Sequence, residues 1–427
     1  MFLFFLRLVF SAAALAIVSW AQEADEKQRI RQVRELAEQG PSGLPKLAEF
    51  LRDPSIAVRE EAVASITAIG GRESLDLLIE ATRDSAPQVQ MRAADGLVNY
   101  YLPGYVQRGR LQRFSSAVRS RFSSSNDQVI PAYVSVRPDV IAALGRLARG
   151  GSSMESRANA ARALGILRGR AALDDLVAAL RSKDDLVIYE ALIALQKIKD
   201  PAAGDSVVFL LRDLSEKVRL AAIETAGVLQ ARAALPELRR IFQDPNSSTR
   251  LRRAAISALA LIPDEANRPV LEAGLQDKDD RIRGSAAEGL GRLKNKNDLP
   301  RLEQMFEQEK KMHARLGAAF AVTALGRYEI SEFSPAQYLI NTLNSRAYRG
   351  VAEPYLTELA RDPAFRTALH QALAKGTKEE KIGLSRVLAA SGGPDSLAVL
   401  DQLSKDPDPE VAQAALDAGR TLRARLQ

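Results

Sequence analysis

The sequence predicts an all-α protein, an α-solenoid of helical hairpins stacked into a right-handed superhelix, and three observations carry that prediction. The first is a recurring alanine. Ala62 to Ala93 is 31 residues, Ala160 to Ala191 and Ala191 to Ala222 are each 31, Ala222 to Ala255 is 33, Ala255 to Ala286 is 31 and Ala286 to Ala318 is 32. The second is periodicity: each unit holds two apolar runs, and both repeat at helical spacing, Leu44, Leu47 and Leu51 on one, Val58, Ala62, Ile66 and Ile69 on the other. The third is composition, with 46% apolar residues but only 5% aromatics, an interior of small and unbranched side chains that suits closely packed helices. No hairpin of this kind buries its stripes alone, so neighbours must stack, and roughly ten such units account for the length.

Taken from the N-terminus, the chain opens on MFLFFLRLVFSAAALAIVSWAQ, in which Leu8 to Trp20 is apolar apart from Ser11 and Ser19, before the small-residue site Ser19-Trp20-Ala21. That pattern predicts a secretory signal peptide over 1–21 and a mature chain outside the cytoplasm, periplasmic or secreted. The single Arg7 is a weak positive flank, so an uncleaved anchor is the alternative, although the apolar run is short for a membrane span. A first helix over Asp25 to Gln39 and repeat units follow over 22–99. Each unit runs from a first helix such as Gly43 to Asp53, through a loop with Asp and often Pro, into the alanine-rich second helix.

Segment 100–137 interrupts the repeat. It holds Tyr100, Tyr101, Tyr105, Phe114, Phe122 and Tyr133 with six arginines and one acid, and so carries +5 of a net +7. Leu111, Phe114, Val118 and Phe122 fall at helical spacing, which predicts a short basic amphipathic helix. Three dockings remain open for it: capping the neighbouring hairpins, binding a protein partner with an acidic surface, or lying on an anionic membrane. The candidate partner-binding residues are Arg108, Arg110, Arg113, Phe114, Arg119, Arg121 and Phe122. Nucleic acid would suit the same chemistry, but the leader argues against it. Regular units resume over 138–326, the pattern fades over 327–391, and a last unit occupies 392–427.

Two registers repeat with the units. Asp53, Asp84, Asp213, Asp244, Asp277 and Asp406 occupy one; Arg59, Arg157, Arg219, Arg252, Arg283 and Arg315 occupy the other, near the start of the second helix. The economical reading is a structural ladder that satisfies loop polar groups and complements helix dipoles. The alternative is a basic stripe that reads phosphate or carboxylate.

The quotations VREEAVASI (Val58 to Ile66), VRLAAIETA (Val218 to Ala226), LRRAAISAL (Leu251 to Leu259) and IRGSAAEGL (Ile282 to Leu290) resemble the HEAT-repeat family, in the short form also found in phycobilisome-lyase-like repeat proteins. The resemblance covers 41–98, 153–326 and 395–426. It implies a protein-binding scaffold. The alternatives are an accessory or lyase-like role on a chromophore- or cofactor-bearing partner, or, without export, a basic solenoid on nucleic acid.

For chemistry the inventory is thin. There is no cysteine, and His313 and His370 are the only histidines, neither in a metal-ligand spacing nor beside a nucleophile motif. Gly289-Leu290-Gly291 lacks a preceding strand, and the acid pairs Asp184-Asp185 and Asp279-Asp280 fall in loops, where capping is commoner than acid–base work. The expectation is a non-enzymatic scaffold with no cofactor and no metal.

Overall fold

The structure, a computed structural model, describes residues 23–106 and 128–427. Among them every regular element is helical and no strand occurs. The leader expected over 1–21 lies outside the described residues. No helix among the described residues is long and apolar enough to cross a membrane.

The described residues pack as two units, the first drawn from the span Met1–Ile130 with Val136–Ile198 and the second from Pro131–Ser135 with Lys199–Gln427. The first begins with a helix over 23–38 and continues in hairpins such as Leu44–Phe50 with Ile56–Ile69, Arg72–Ala81 with Pro87–Tyr101, and Pro138–Gly150 with Met154–Ile166. The second runs through Leu235–Gln243 with Thr249–Leu261, Arg268–Gly274 with Asp280–Arg292, and Leu299–Gln308 with Met312–Ala324. Each unit is a stack of helical hairpins, the α-solenoid architecture.

Local rules set the ends of the helices. A proline stands in the first turn of Leu44–Phe50, Leu235–Gln243, Arg268–Gly274 and Leu299–Gln308, where its missing N–H leaves nothing unsatisfied. Several second helices start under side-chain caps: Ser55 accepts from the Val58 N–H, Ser248 from Leu251, and Asp279 from Arg281 and Ile282. Six of the described second helices are followed by a left-handed residue, Gly70, Arg168, Lys199, Gln230, Lys294 or Gly326, which turns the chain into the next unit.

The recurring alanines explain the stacking. Ala62, Ala93, Ala160, Ala191, Ala222, Ala255, Ala286 and Ala318 are all fully buried. Glycine brings the second helices closer still in the second unit. A Cβ on Gly291 would lie 2.6 Å from the Ala321 Cα, and one on Gly317 would meet the backbone of Gly284. Over 327–391 helices continue as Pro335–Asn341, Arg349–Leu359, Pro363–Lys375 and Lys378–Ser391. Here Tyr355 and Phe365 join Phe306 and Phe320 of the preceding hairpin in one core.

Candidate functional site

Aligning the second helices of the second unit on their buried alanines brings together residues that the repeat itself does not require. Lys217, Arg250, Arg281 and His313 share one position, the second residue of Glu216–Val228, Thr249–Leu261, Asp280–Arg292 and Met312–Ala324. Two helical turns later, Glu224, Ser257, Glu288 and Phe320 share another. Neighbouring helices thus carry a basic row and, farther along, a row containing two acids.

Between the rows lies a groove of about 500 Å³. It is lined by Glu224 from the first of these helices, Arg250, Arg253 and Ser257 from the next, Arg281 and Glu288 from the third, His313 from the fourth, and Tyr355 from Arg349–Leu359. Arg253 is held by Asp279, at 2.5 and 2.9 Å. Neither the Arg250 nor the Arg281 guanidinium has a carboxylate in ion-pair range among the described residues.

The acidic side of the groove rests on a buried cluster. Arg292, 8% exposed at its side chain, clasps Glu358 through two bonds of 2.9 Å and Glu288 through one of 3.1 Å. It also donates to the Ala260 carbonyl at 3.2 Å. Its guanidinium lies 4.6 Å from the centre of the Phe320 ring, which in turn packs 4.8 Å from Tyr355. The Tyr355 hydroxyl donates to Glu288. Burial works against the Arg292 cation, but Glu288 and Glu358 outweigh it and raise its pKa. Burial, then the Glu288 charge, pushes the Tyr355 phenol well above its usual value. Tyr355 therefore stays a hydrogen-bond donor.

Glu224 keeps more than a third of its surface open to the groove, yet the protein around it strips away enough solvent to raise its pKa, against a partial pull from Arg250. His313 is shifted down, first by burial and then by the Arg281 charge; its ring stands edge-on to Tyr348 at 5.4 Å. His370, outside the groove, shares a 2.9 Å hydrogen bond with the buried Ser396 and is shifted down by burial, with Asp395 opposing. Both histidines have folded pKa values below the 6.5 of a free ring, so the unfolded chain binds more protons and stability falls as pH drops through that window. Between about pH 7 and about pH 5 the melting temperature is expected to fall, and His370→Gln to flatten that slope, as read by circular dichroism melts. A melting temperature independent of pH over that range would refute the assignment.

The two repeating registers take a definite geometry. All six aspartates, Asp53, Asp84, Asp213, Asp244, Asp277 and Asp406, accept from the backbone N–H two residues on, at 2.7–3.0 Å, the turn that short acidic side chains favour. Arg59 bonds Asp84 at 2.7 and 3.0 Å, Arg252 bonds Asp277 at 2.7 Å, and Arg283 bonds Glu309 at 2.9 Å and the Asp277 carbonyl at 2.9 Å. In these rungs an arginine reaches the acid that closes the next unit's first helix. Arg157 instead donates to the Gly151 carbonyl at 3.0 Å. Arg315 stacks on Phe306 and Tyr338, 4.9 and 4.7 Å from the ring centres. Arg219 forms no ion pair among the described residues. Lys381 supplies the rung to Asp406 at 2.8 Å.

The candidate partner-binding residues Arg108, Arg110, Arg113, Phe114, Arg119, Arg121 and Phe122 lie outside the described residues. At the edges of that segment, Tyr100 and Tyr101 complete the helix Pro87–Tyr101, and Tyr101 accepts from the Arg137 N–H at 3.1 Å. Arg137 pairs with Asp76 and Asp139 at 2.6 and 2.5 Å. Sequence reasoning missed the groove. Its signal was the second basic register, 217, 250, 281 and 313, at intervals of 33, 31 and 32 residues. Among the described residues no group of three or more His, Cys, Asp or Glu is placed to hold a metal ion.

The family model for HEAT repeats matches residues 14–98, 141–213 and 246–323, more than half of the chain. The bilin biosynthesis protein PecE of Nostoc sp. (strain PCC 7120) is 34% identical over 111 residues, 26% of this chain and 43% of that protein. This chain thus spans about two fifths of the length of the curated relative it matches. Among solved structures, the complex of CpcE and CpcF of phycocyanin lyase from Nostoc sp. PCC7120 has a TM-score of 0.38 at 19% identity, covering 65% of this chain and 96% of that one. Importin beta has a TM-score of 0.39 at 16% identity, covering 90% and 57%. At these scores neither structure carries an argument about this chain. The expectation of a non-enzymatic protein is corrected by the likeness, over those 111 residues, to a bilin biosynthesis protein. The repeating alanines, the stacked hairpins and the matched model together make this chain a member of the HEAT-repeat family.

Proposed function

We propose that the protein acts in a lyase-like manner on a protein partner that bears a chromophore or cofactor of the linear tetrapyrrole class. The repeat surface holds the partner, and the groove of the second unit takes the prosthetic group. The observation that carries this reading is the groove itself. Arg250 and Arg281 along one side suit carboxylate side chains, while Glu224 and Glu288 along the other suit ring N–H groups. The likeness to a bilin biosynthesis protein supports the choice of group. The arginines of segment 100–137 favour an acidic partner surface over an anionic membrane, because aromatics interleave with them as in protein-binding hot spots. The leader pattern over 1–21 supports action outside the cytoplasm, and an intact mass that begins at Gln22 is the expected result for the secreted chain.

The test of the function is incubation of purified protein with biliverdin followed by gel filtration. Co-elution of pigment with protein, with an altered red absorption band, is the expected result. Pigment that elutes only as free small molecule sinks the reading.

A further inference from the structure

The basic row of the groove is more specific than a positive patch. Arg250 and Arg281 sit at the same register on neighbouring helices, both line the groove, and neither is neutralised by a carboxylate in ion-pair range among the described residues. Arg253, between them in the groove, is already engaged by Asp279, and His313 continues the row on the next helix. The surrounding charges are mixed. Glu224 faces Arg250 from the preceding helix, Asp279 and Asp280 lie near His313, and Glu288 is tied to Arg292 and Tyr355. The ladder arginines lie outside the groove lining: Arg59, Arg252 and Arg283 each end on a carboxylate of the next unit, Arg157 on the Gly151 carbonyl, and Arg315 on the Phe306 and Tyr338 rings. Arg250 and Arg281 stand in a register of their own, at the second residue of their helices, and face the groove.

We propose that Arg250 and Arg281 are a paired carboxylate subsite: each receives one carboxylate of a ligand with two such groups on a flexible linker, laid across adjacent helices. Packed helix axes lie roughly 8–10 Å apart, a spacing that a linker between two carboxylates can span so that each guanidinium takes one. A planar carboxylate matches the arginine fork, and two of them on one linker match the repeat. An arriving dianion also relieves repulsion within the row, where the Arg281 and Arg253 charges already add to burial in disfavouring a charged His313. The inference rests on the groove being a ligand site, as above, and deepens it by naming the ligand's charged groups rather than its pigment.

Isothermal titration of the full chain with pimelate, acetate and inorganic phosphate tests it. Pimelate is expected to bind more tightly than acetate or phosphate by about tenfold or more, and Arg250→Ala and Arg281→Ala each to weaken pimelate by roughly tenfold. Lys405→Ala, an exposed cation elsewhere, should leave the affinity unchanged, and circular dichroism should show all three variants folded. Equal affinity for acetate and pimelate, phosphate as tight as pimelate, or indifference to both arginine substitutions overturns the proposal. Arginine-dependent pimelate binding without biliverdin binding keeps the subsite and sinks the tetrapyrrole reading. Biliverdin binding that survives both substitutions does the reverse.

Discussion

Arg292→Met is expected to destabilise the second unit by about 3–5 kcal/mol, because it leaves the partners of a buried ion cluster without their cation. Glu288 and Glu358 converge on Arg292 from two helices, and methionine replaces the packing of the side chain but none of its charge. The buried Tyr355 would then remain as donor to Glu288, too little to compensate a second carboxylate at Glu358. For a unit of this size such a loss lowers the melting temperature by about 10 °C. Thermal melts of both proteins provide the check, and a shift within error would mean that the cluster is neutral to stability. Burial alone does not make the cluster stabilising, since well-packed apolar replacements of a whole ion network can equal it. The prediction concerns removal of one member only.

Phe320→Ala is expected to cost about 3–5 kcal/mol, as large-to-small changes in packed cores do. Phe320 is 1% exposed and stands between the Arg292 guanidinium and the Tyr355 ring. Its loss therefore opens a cavity and frees the two groups that orient Glu288 beneath the groove. The two substitutions should not add: a double-mutant cycle is expected to show a coupling of about 0.5–3 kcal/mol, the range for residues in contact. Additivity within error would show that Phe320 acts only as core volume. Chemical denaturation of the four proteins gives the answer.

Much of the fold was legible because the repeat is written in residue types with one physical use each. A small residue at Ala222, Ala255 and Ala286 has little reason to recur except helix contact, and all three are fully buried. Aspartate at the loop register was legible as a turn former for the same reason. The aromatic stretch over 327–391 was harder to read. There Tyr338, Tyr355 and Phe365 pack in the core and the regular alanine spacing is lost, so the marker goes while the hairpins persist.

The groove was not legible in the same way. Its residues occupy positions where the repeat tolerates anything polar, and Arg250 in isolation looks like a solvated helix charge. Only superposition of Lys217, Arg250, Arg281 and His313 in one register, on helices that pack side by side, turns three unremarkable cations and a histidine into a row. His313 read as an ordinary helix residue because its significance lies across the stack, 32 residues from Arg281. Glu288 and Tyr355 are farther apart still, joined through a hydrogen bond that spans 67 residues of sequence. The strongest composition signal, the arginines of segment 100–137, drew attention to a different part of the chain.

Amide hydrogen exchange of the full chain, with and without saturating biliverdin, tests the central claim most directly, because it reports where a ligand settles as well as whether it binds. Slowed exchange concentrated in Thr249–Leu261, Asp280–Arg292 and Met312–Ala324 is the predicted result. Unchanged exchange in these three helices, or protection confined to 23–106, would contradict it.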